Sequence, residues 1–195
     1  YPGNTYAFRQ DSSFLYYFGL DVPNMIGIID IDENKEILFG HEFSVEDIVW
    51  MGPQPKLAQL AEQIGVAQTE SIDTLKKYLK SKKNKQTKIH FLPTYRGDQT
   101  LKLADLVDEN PYKLKSKFSK KLIEAVVAQR SVKGEEEVAE IEYAMEIAYQ
   151  MHTTAMRMAK PGVIERDIAG AIEGIALSLG SGVSFGAIVS KNGQT

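Results

Sequence analysis

The sequence lacks cysteine entirely and has a single tryptophan in 195 residues. Without cysteine the chain can form no disulfide and can offer no thiolate as a nucleophile or metal ligand. This composition is compatible with a reducing compartment, and we expect a cytoplasmic protein. Long apolar runs are also missing, since no stretch approaches the roughly 20 apolar residues that a membrane-spanning helix needs. We therefore expect no membrane partner.

An excess of positive charge is absent as well. The 23 basic and 26 acidic residues leave a net charge of -3. Proteins that bind nucleic acid normally carry a basic excess that neutralises phosphates, so no nucleic-acid partner is expected. Seven lysines crowd residues 76–88. A solvated helix end explains them better than a polyanion site, because little aromatic surface interrupts the run.

No complete catalytic motif is present in the sequence. His41-Glu42 begins like the HExxH zinc motif, but the fifth residue is Val45. The glycines in residues 180–186 have the spacing GxGxxxG and follow a predicted helix, the reverse of a dinucleotide-binding turn. The three histidines lie on unrelated segments, and His152 is interpreted as a packed or hydrogen-bonded side chain rather than a metal ligand. The residues alone predict no active site.

The longest regular pattern occupies residues 133–162. Its apolar side chains recur at i, i+3 and i+4, the spacing of an amphipathic helix. Glutamates at 135–137 suit the positive N-terminal pole, and Pro161-Gly162 ends the pattern. A second amphipathic helix is predicted over residues 165–179. A stripe this long predicts burial against a sizeable partner.

Strands and helices alternate in the residues before the long helix. Residues 25–32 and 36–40 predict an antiparallel hairpin with a turn at 33–35. Further helices are predicted over 44–50, 55–64, 71–80, 101–107 and 116–129, and further strands at Val66, over 88–92 and over 183–190. This alternation predicts an α/β domain with a mixed sheet over residues 1–129, joined to a second domain over 130–195.

Two segments resemble the Xaa-Pro aminopeptidase (aminopeptidase P) family of the creatinase and methionine-aminopeptidase superfamily. Residues 8–24, FRQDSSFLYYFGLDVPN, are similar to the family's FRQDSxFxYLTGFxEPD segment. Tyr17-Phe18 replaces leucine-threonine in that motif. Residues 130–174 resemble the family's entry to the catalytic domain, where R-x-x-K-x-x-x-E-I leads into a long helix ending in PG, with Val138 in place of the isoleucine.

The resemblance implies a creatinase-like N-terminal domain with flanking helices over residues 1–129. It implies that residues 130–195 are the incomplete start of a pita-bread catalytic domain, with its first two helices and first strand. In family members a helix and a strand precede the position of residue 1. The implied parent is a homo-oligomeric metallopeptidase that cleaves proline-containing peptides before proline. It uses two divalent ions, usually manganese, held by two aspartates, a histidine and two glutamates.

These five ligands follow the matched segments in the family, so we expect no metal in this chain and no activity of the chain alone. Trp50 is the candidate site residue. It lies in DIVWMG, similar to the family's EIWxG segment, whose tryptophan lies near a neighbouring subunit's active-site mouth. This implies a role in substrate access and oligomerisation. The alternative is a half-buried aromatic at the end of a short helix.

Three further interpretations concern two polar residues and the class of protein. The first favours a structural role, and the other two stay open. Arg9 and Asp11 are interpreted as a structural ion pair or turn rather than as substrate contacts. The chain is also compatible with a non-catalytic creatinase-like module for binding or dimerisation. A third possibility is a fragment of another enzyme of the superfamily, such as prolidase or creatinase. These enzymes share the fold, and a prolidase cleaves only dipeptides.

Overall fold

The computed structural model describes residues 8–180 and 182–192. The chain divides into two compact units, Tyr1–Val127 and Ala128–Thr195. All the strands found among the described residues belong to the first unit. The assignment of the two units as domains stays a prediction.

The aromatic segment near the start is a short helix, α1, over Ser12–Phe18. Asp11 caps it, because its side-chain Oδ1 accepts hydrogen bonds from the backbone N–H groups of Ser13 at 2.9 Å and Phe14 at 3.0 Å. Gly19 ends the helix with a left-handed φ of 65°. The sequence left strand and short helix open for this segment, and the capping decides for the helix.

A three-stranded mixed sheet forms the centre of the first unit. β1 (Ile26–Asp30) and β2 (Lys35–Gly40) form the predicted antiparallel hairpin, in which Ile28 lies opposite Ile37. β3 (Gln68–Ser71) pairs with β2 in parallel, so the strand order is β1-β2-β3. The predicted α/β class with a mixed sheet and flanking helices is confirmed.

Apolar layers cover both faces of this sheet, because successive side chains of β2 point to opposite sides. Leu38 faces one layer, in which Phe18 of α1 is also buried. Ile37 and Phe39 face the other layer, where Leu75 is fully buried. The helices that flank the sheet are held there by this burial.

The predicted helices of the first unit all form. They are α2 (Val45–Met51), α3 (Leu57–Gln63), α4 (Ile72–Asn84), α5 (Gly97–Val107) and α6 (Lys120–Ser131), with a 3-10 helix over Pro111–Ser116. The boundary between the units lies within α6. The strand predicted at Val66 is wrong. β3 begins at Gln68, and Val66 precedes it as a buried residue of the apolar layer on Leu38.

The strand predicted over residues 88–92 does not form. Ile89 and Phe91 pack instead on a cluster that contains the fully buried Leu114. The backbone oxygen of Phe91 accepts a hydrogen bond from the N–H of Ser119 at 3.3 Å, at the start of α6. The alternating pattern therefore reflects packing on helices rather than a strand ladder.

The second unit is built on two helices, α7 (Glu135–Met158) and α8 (Glu165–Leu179), which confirm both predictions. The Tyr143 hydroxyl donates a hydrogen bond to the backbone oxygen of Leu179 at 2.8 Å. Ile168 of α8 is buried, whereas no residue of α7 is. The apolar stripe of α7 is thus largely exposed within this unit. No helix among the described residues is long and apolar enough to cross a membrane.

The strand predicted over residues 183–190 is also wrong. A strand needs a neighbour to pair its backbone groups. Here the N–H of Ala187 donates to the Glu173 side chain of α8 at 2.9 Å, and Phe185 and Ile188 are exposed. This segment therefore follows α8 as irregular chain.

Candidate functional site

The candidate residue Trp50 lies on α2, whose ends are fixed by local hydrogen bonds. The N–H of Asp47 donates to Ser44 Oγ at 3.1 Å, and the N–H of Ser44 donates to Asp47 Oδ2 at 2.8 Å, which is a reciprocal capping box. The Ser44 hydroxyl, followed by its backbone N–H, lowers the pKa of Asp47 below its ordinary value. At the other end Gly52 adopts a φ of 77° and donates to the Ile48 oxygen.

The side chains of α2 are unusually exposed for an apolar sequence. None is buried, and the exposed fractions are 79% for Val45, 76% for Val49 and 82% for Trp50. We call these three residues the α2 patch. The half-buried aromatic that the sequence left open does not describe Trp50. An exposed apolar cluster of this kind is typical of a surface that another molecule covers.

The other candidate residues of the sequence do not belong to α2. Asp11 caps α1, which supports the structural interpretation, and Arg9 is exposed. His41, His90 and His152 lie in separate parts of the chain and are all exposed. His90 Nδ1 lies 2.5 Å from Ser119 Oγ, next to the start of α6.

A pair of divalent ions does not fit the part of the chain that the structure describes. Two-metal sites need several carboxylate and imidazole ligands at one place. Residues 8–180 and 182–192 contain no group of three or more histidine, aspartate or glutamate side chains that could hold a metal ion. No catalytic step is therefore assigned to these residues.

Sequence reasoning missed a buried ionic cluster beneath the hairpin. Lys82 of α4 and Asp30 of β1 are only 7% and 8% exposed. Lys82 Nζ lies 2.5 Å from Asp30 Oδ2 and also pairs with Glu33. The Tyr78 hydroxyl donates to Asp30 at 2.7 Å. Because each buried charge has a partner, the cluster ties α4 to the hairpin turn.

The cluster perturbs its members in the directions that this geometry requires. The Lys82 ammonium, and after it the Tyr78 hydroxyl, lowers the pKa of Asp30 to about 2. Asp30 and Glu33 raise the pKa of Lys82 above its ordinary value. Burial, and after it the Asp30 carboxylate, raises the pKa of Tyr78 to about 12. All three groups keep their ordinary charge at neutral pH, so the cluster is a structural tie.

One signal in the sequence could have revealed this cluster. Lys82 lies seven residues after Leu75 and three after Leu79, at positions that share one face of a helix. A lysine that continues an apolar stripe predicts a buried ammonium group, which requires a carboxylate partner.

The first unit has the predicted α/β fold, a mixed sheet flanked by helices, and its short capped helix α2 presents an exposed tryptophan. Comparison with protein families shows what this unit is similar to. Residues 1–90 match the family model for the aminopeptidase P N-terminal domain. Residues 1–90 are therefore similar to an aminopeptidase P N-terminal domain, as the first of the two sequence motifs predicted.

Curated relatives extend the similarity beyond that domain. A human Xaa-Pro dipeptidase is 27% identical over 176 residues, which cover 89% of this chain and 34% of the relative. A probable Xaa-Pro aminopeptidase of Blastomyces gilchristii is 26% identical over 190 residues, covering 96% of this chain and 36% of the relative. The chain thus spans about a third of the length of these relatives.

Solved structures share the fold. Proline aminopeptidase P II from Yersinia pestis has a TM-score of 0.73 at 22% identity, over 91% of this chain and 43% of that one. The Pseudomonas aeruginosa aminopeptidase PepP has a TM-score of 0.69 at 21% identity, over 92% of this chain and 43% of that one. A zinc-substituted aminopeptidase P of Escherichia coli, in complex with product, has a TM-score of 0.67 at 20% identity.

Proposed function

We propose that this chain is the N-terminal part of a metal-dependent exopeptidase that removes the N-terminal residue from peptides with proline in second position. The observation that carries the proposal is the family match over residues 1–90, continued by similarity to Xaa-Pro peptidases over about nine-tenths of the chain. The continuation includes α7 and α8, which correspond to the second motif of the resemblance.

The proposed substrate sets a specific chemical requirement. Proline has no amide N–H, so the scissile bond is a tertiary amide and the site must accept the ring on the nitrogen. Two divalent ions, manganese in the resemblance, would supply an activated hydroxide and stabilise the oxyanion when bound. Since the resemblance places their ligands after the matched segments, we propose that the 195-residue chain alone does not hydrolyse peptides.

Trp50, within the α2 patch, has a proposed role in access to the active site of a second copy. Trp50 is 82% exposed, and the capping box and Gly52 hold α2 without burial in the core. A rigid aromatic on a preformed helix can cover apolar surface at low entropic cost. We propose that Trp50 of one subunit borders the active-site mouth of a neighbouring subunit in a homo-oligomer.

A prolidase is the second candidate, because the human relative is a Xaa-Pro dipeptidase. The two functions differ in substrate length. An aminopeptidase cleaves Xaa-Pro-Xaa peptides, whereas a prolidase is restricted to Xaa-Pro dipeptides.

The test uses the full-length parent protein, loaded with manganese, and peptides that differ only in length. Release of the N-terminal residue from a tripeptide Ala-Pro-Ala supports the aminopeptidase, and cleavage of Ala-Pro alone supports the prolidase.

A second experiment tests the role of Trp50 by comparing Trp50→Ala with Val49→Ala on the same helix. A role in access predicts a larger rise in KM for Trp50→Ala, with longer peptides affected most, and unchanged far-UV circular dichroism.

A further inference from the structure

Charge is segregated along the first unit. Residues 76–121 contain fourteen basic and four acidic residues, whereas residues 8–75 contain three basic and twelve acidic ones. The net charge of -3 hides this division. A field of one sign over a region of this size attracts a partner of the opposite sign.

The fold brings three lysine-bearing elements together: α4, α5 and the 3-10 helix. Lys76 of α4 pairs with Asp105 of α5 at 2.5 Å, and Lys83 reaches Asp108 at 3.9 Å, so the two helices lie side by side. α5 in turn packs on the 3-10 helix through the cluster around Leu114. The three elements are therefore neighbours, and each carries exposed lysines.

All four carboxylates of residues 76–121 form ion pairs. Asp98 pairs with Arg96, and Glu109 pairs with Lys117 at 3.6 Å, while Asp105 and Asp108 pair with α4. Eight other lysines of residues 76–121 are exposed, and no carboxylate of a described residue lies within 4.0 Å of their ammonium groups. Six of the eight lie on α4 or its C-terminal cap, on α5 or on the 3-10 helix, and we call these six the lysine surface: Lys77, Lys80, Lys85, Lys102, Lys113 and Lys115.

We propose that the lysine surface, whose members on α4 the sequence alone favoured as a solvated helix end, binds an acidic polypeptide segment rich in glutamate or aspartate. The binding is independent of the peptidase activity proposed above. Its basis is charge complementarity: six unpaired ammonium groups face solvent on adjoining elements, and each can donate up to three hydrogen bonds to carboxylates.

The charge of the whole chain favours an acidic polypeptide over a nucleic acid as the partner. Proteins that bind nucleic acid normally carry a basic excess, whereas this chain has a net charge of -3. Binding of a short acidic segment needs only the local excess of lysine in residues 76–121.

The experiment measures fluorescence anisotropy of a labelled peptide of alternating glutamate and glycine, titrated with the full chain. The matched probe replaces each glutamate with glutamine. We expect the glutamate peptide to bind and the glutamine peptide not to bind. Affinity should fall about tenfold or more between 50 and 300 mM salt, because exposed charges are screened over roughly a Debye length.

Two charge-reversed variants locate the surface. Lys77→Glu, Lys80→Glu, Lys113→Glu and Lys115→Glu together should reduce affinity by at least about tenfold. Lys56→Glu, Lys133→Glu, Lys160→Glu and Lys191→Glu change the net charge equally at exposed positions outside the lysine surface. This control should lose no more than about threefold. Far-UV circular dichroism establishes that both variants fold.

Three outcomes would overturn the proposal. Equal losses in the two variants would show that only net charge matters. Failure of the glutamate peptide to bind in 50 mM salt would refute the binding of acidic segments by the lysine surface. Tighter binding of a single-stranded DNA oligonucleotide, or of phosphatidylserine vesicles, than of the glutamate peptide would assign the surface to a different partner. None of these results bears on Xaa-Pro cleavage by the parent protein.

Discussion

Gly27 and Phe18 provide a direct test of how α1 packs on the sheet. A Cβ atom added at Gly27 would lie 2.1 Å from Phe18 Cε2 and 2.1 Å from Phe18 Cζ. Carbon atoms normally pack at about 3.5 to 4.0 Å. The ring cannot retreat freely, because Phe18 is buried and stacks on Phe14 with ring centroids 5.2 Å apart.

Gly27→Ala should therefore destabilise the first unit by overpacking. A misfit of this kind costs about 1 to 3 kcal/mol, or more where the backbone must move. Phe18→Ala should cost about 3 to 5 kcal/mol, because it removes a buried aromatic and leaves a cavity. In the double variant the new methyl group enters that cavity. The double variant should be about 1 to 2 kcal/mol more stable than the sum of the two single losses predicts.

Urea unfolding of the four proteins, followed by circular dichroism, gives the complete cycle. Gly174→Ala is a matched control, because no atom outside its own helix lies within 4 Å of its added Cβ. This control should be neutral or slightly stabilising, since alanine favours helix. Additive losses at Gly27 and Phe18, within about 0.3 kcal/mol, would refute the contact. A neutral Gly27→Ala variant would refute it as well.

Three other predictions concern the core, the ionic cluster and α2. Leu75→Ala should lose about 2 to 5 kcal/mol of unfolding free energy in urea, whereas Leu101→Ala, exposed on α5, should lose under about 0.5 kcal/mol. Asp30→Asn should be less stable than wild type at pH 7, and the difference should shrink as pH falls from about 4 towards 2. The reason is that Asp30, whose pKa is lowered to about 2, stabilises the fold only while it is ionised. A difference that does not change with pH would contradict the pairing with Lys82. Ser44→Ala should speed amide hydrogen exchange in α2 about fivefold or more through loss of a cap, with the urea midpoint of the sheet unchanged. Equal exchange rates in the two proteins would show that the capping box does not hold α2.

The sequence predicted those elements whose pattern is local. The hairpin, α7 and α8 are set by side-chain periodicity together with turns and end signals, which neighbouring residues determine. The capping box of α2 was visible for the same reason. The family resemblance added an expected function, which periodicity does not contain. It depends on the identity of the residues in FRQDSS and RSVKGEEEV and not on the spacing of apolar side chains.

What the sequence did not predict depends on distant partners. Residues 88–92 alternate like a strand, but Phe91 packs on Leu114 and its oxygen accepts from Ser119. Residues 183–190 are apolar, yet pairing requires a neighbouring strand that periodicity does not report. The partners of Lys82 lie about fifty residues away, in the hairpin. The exposure of Trp50 was likewise left open, because a short apolar helix can face inward or outward.

The most direct test of the central proposal is cleavage of Ala-Pro-Ala by the full-length parent protein, with the 195-residue chain assayed alongside. We predict that the parent, loaded with manganese, releases free alanine, that chelation of the metal abolishes this release, and that the 195-residue chain releases none. A parent protein that folds and binds metal but cleaves neither Ala-Pro-Ala nor Ala-Pro would contradict the assignment as a Xaa-Pro peptidase.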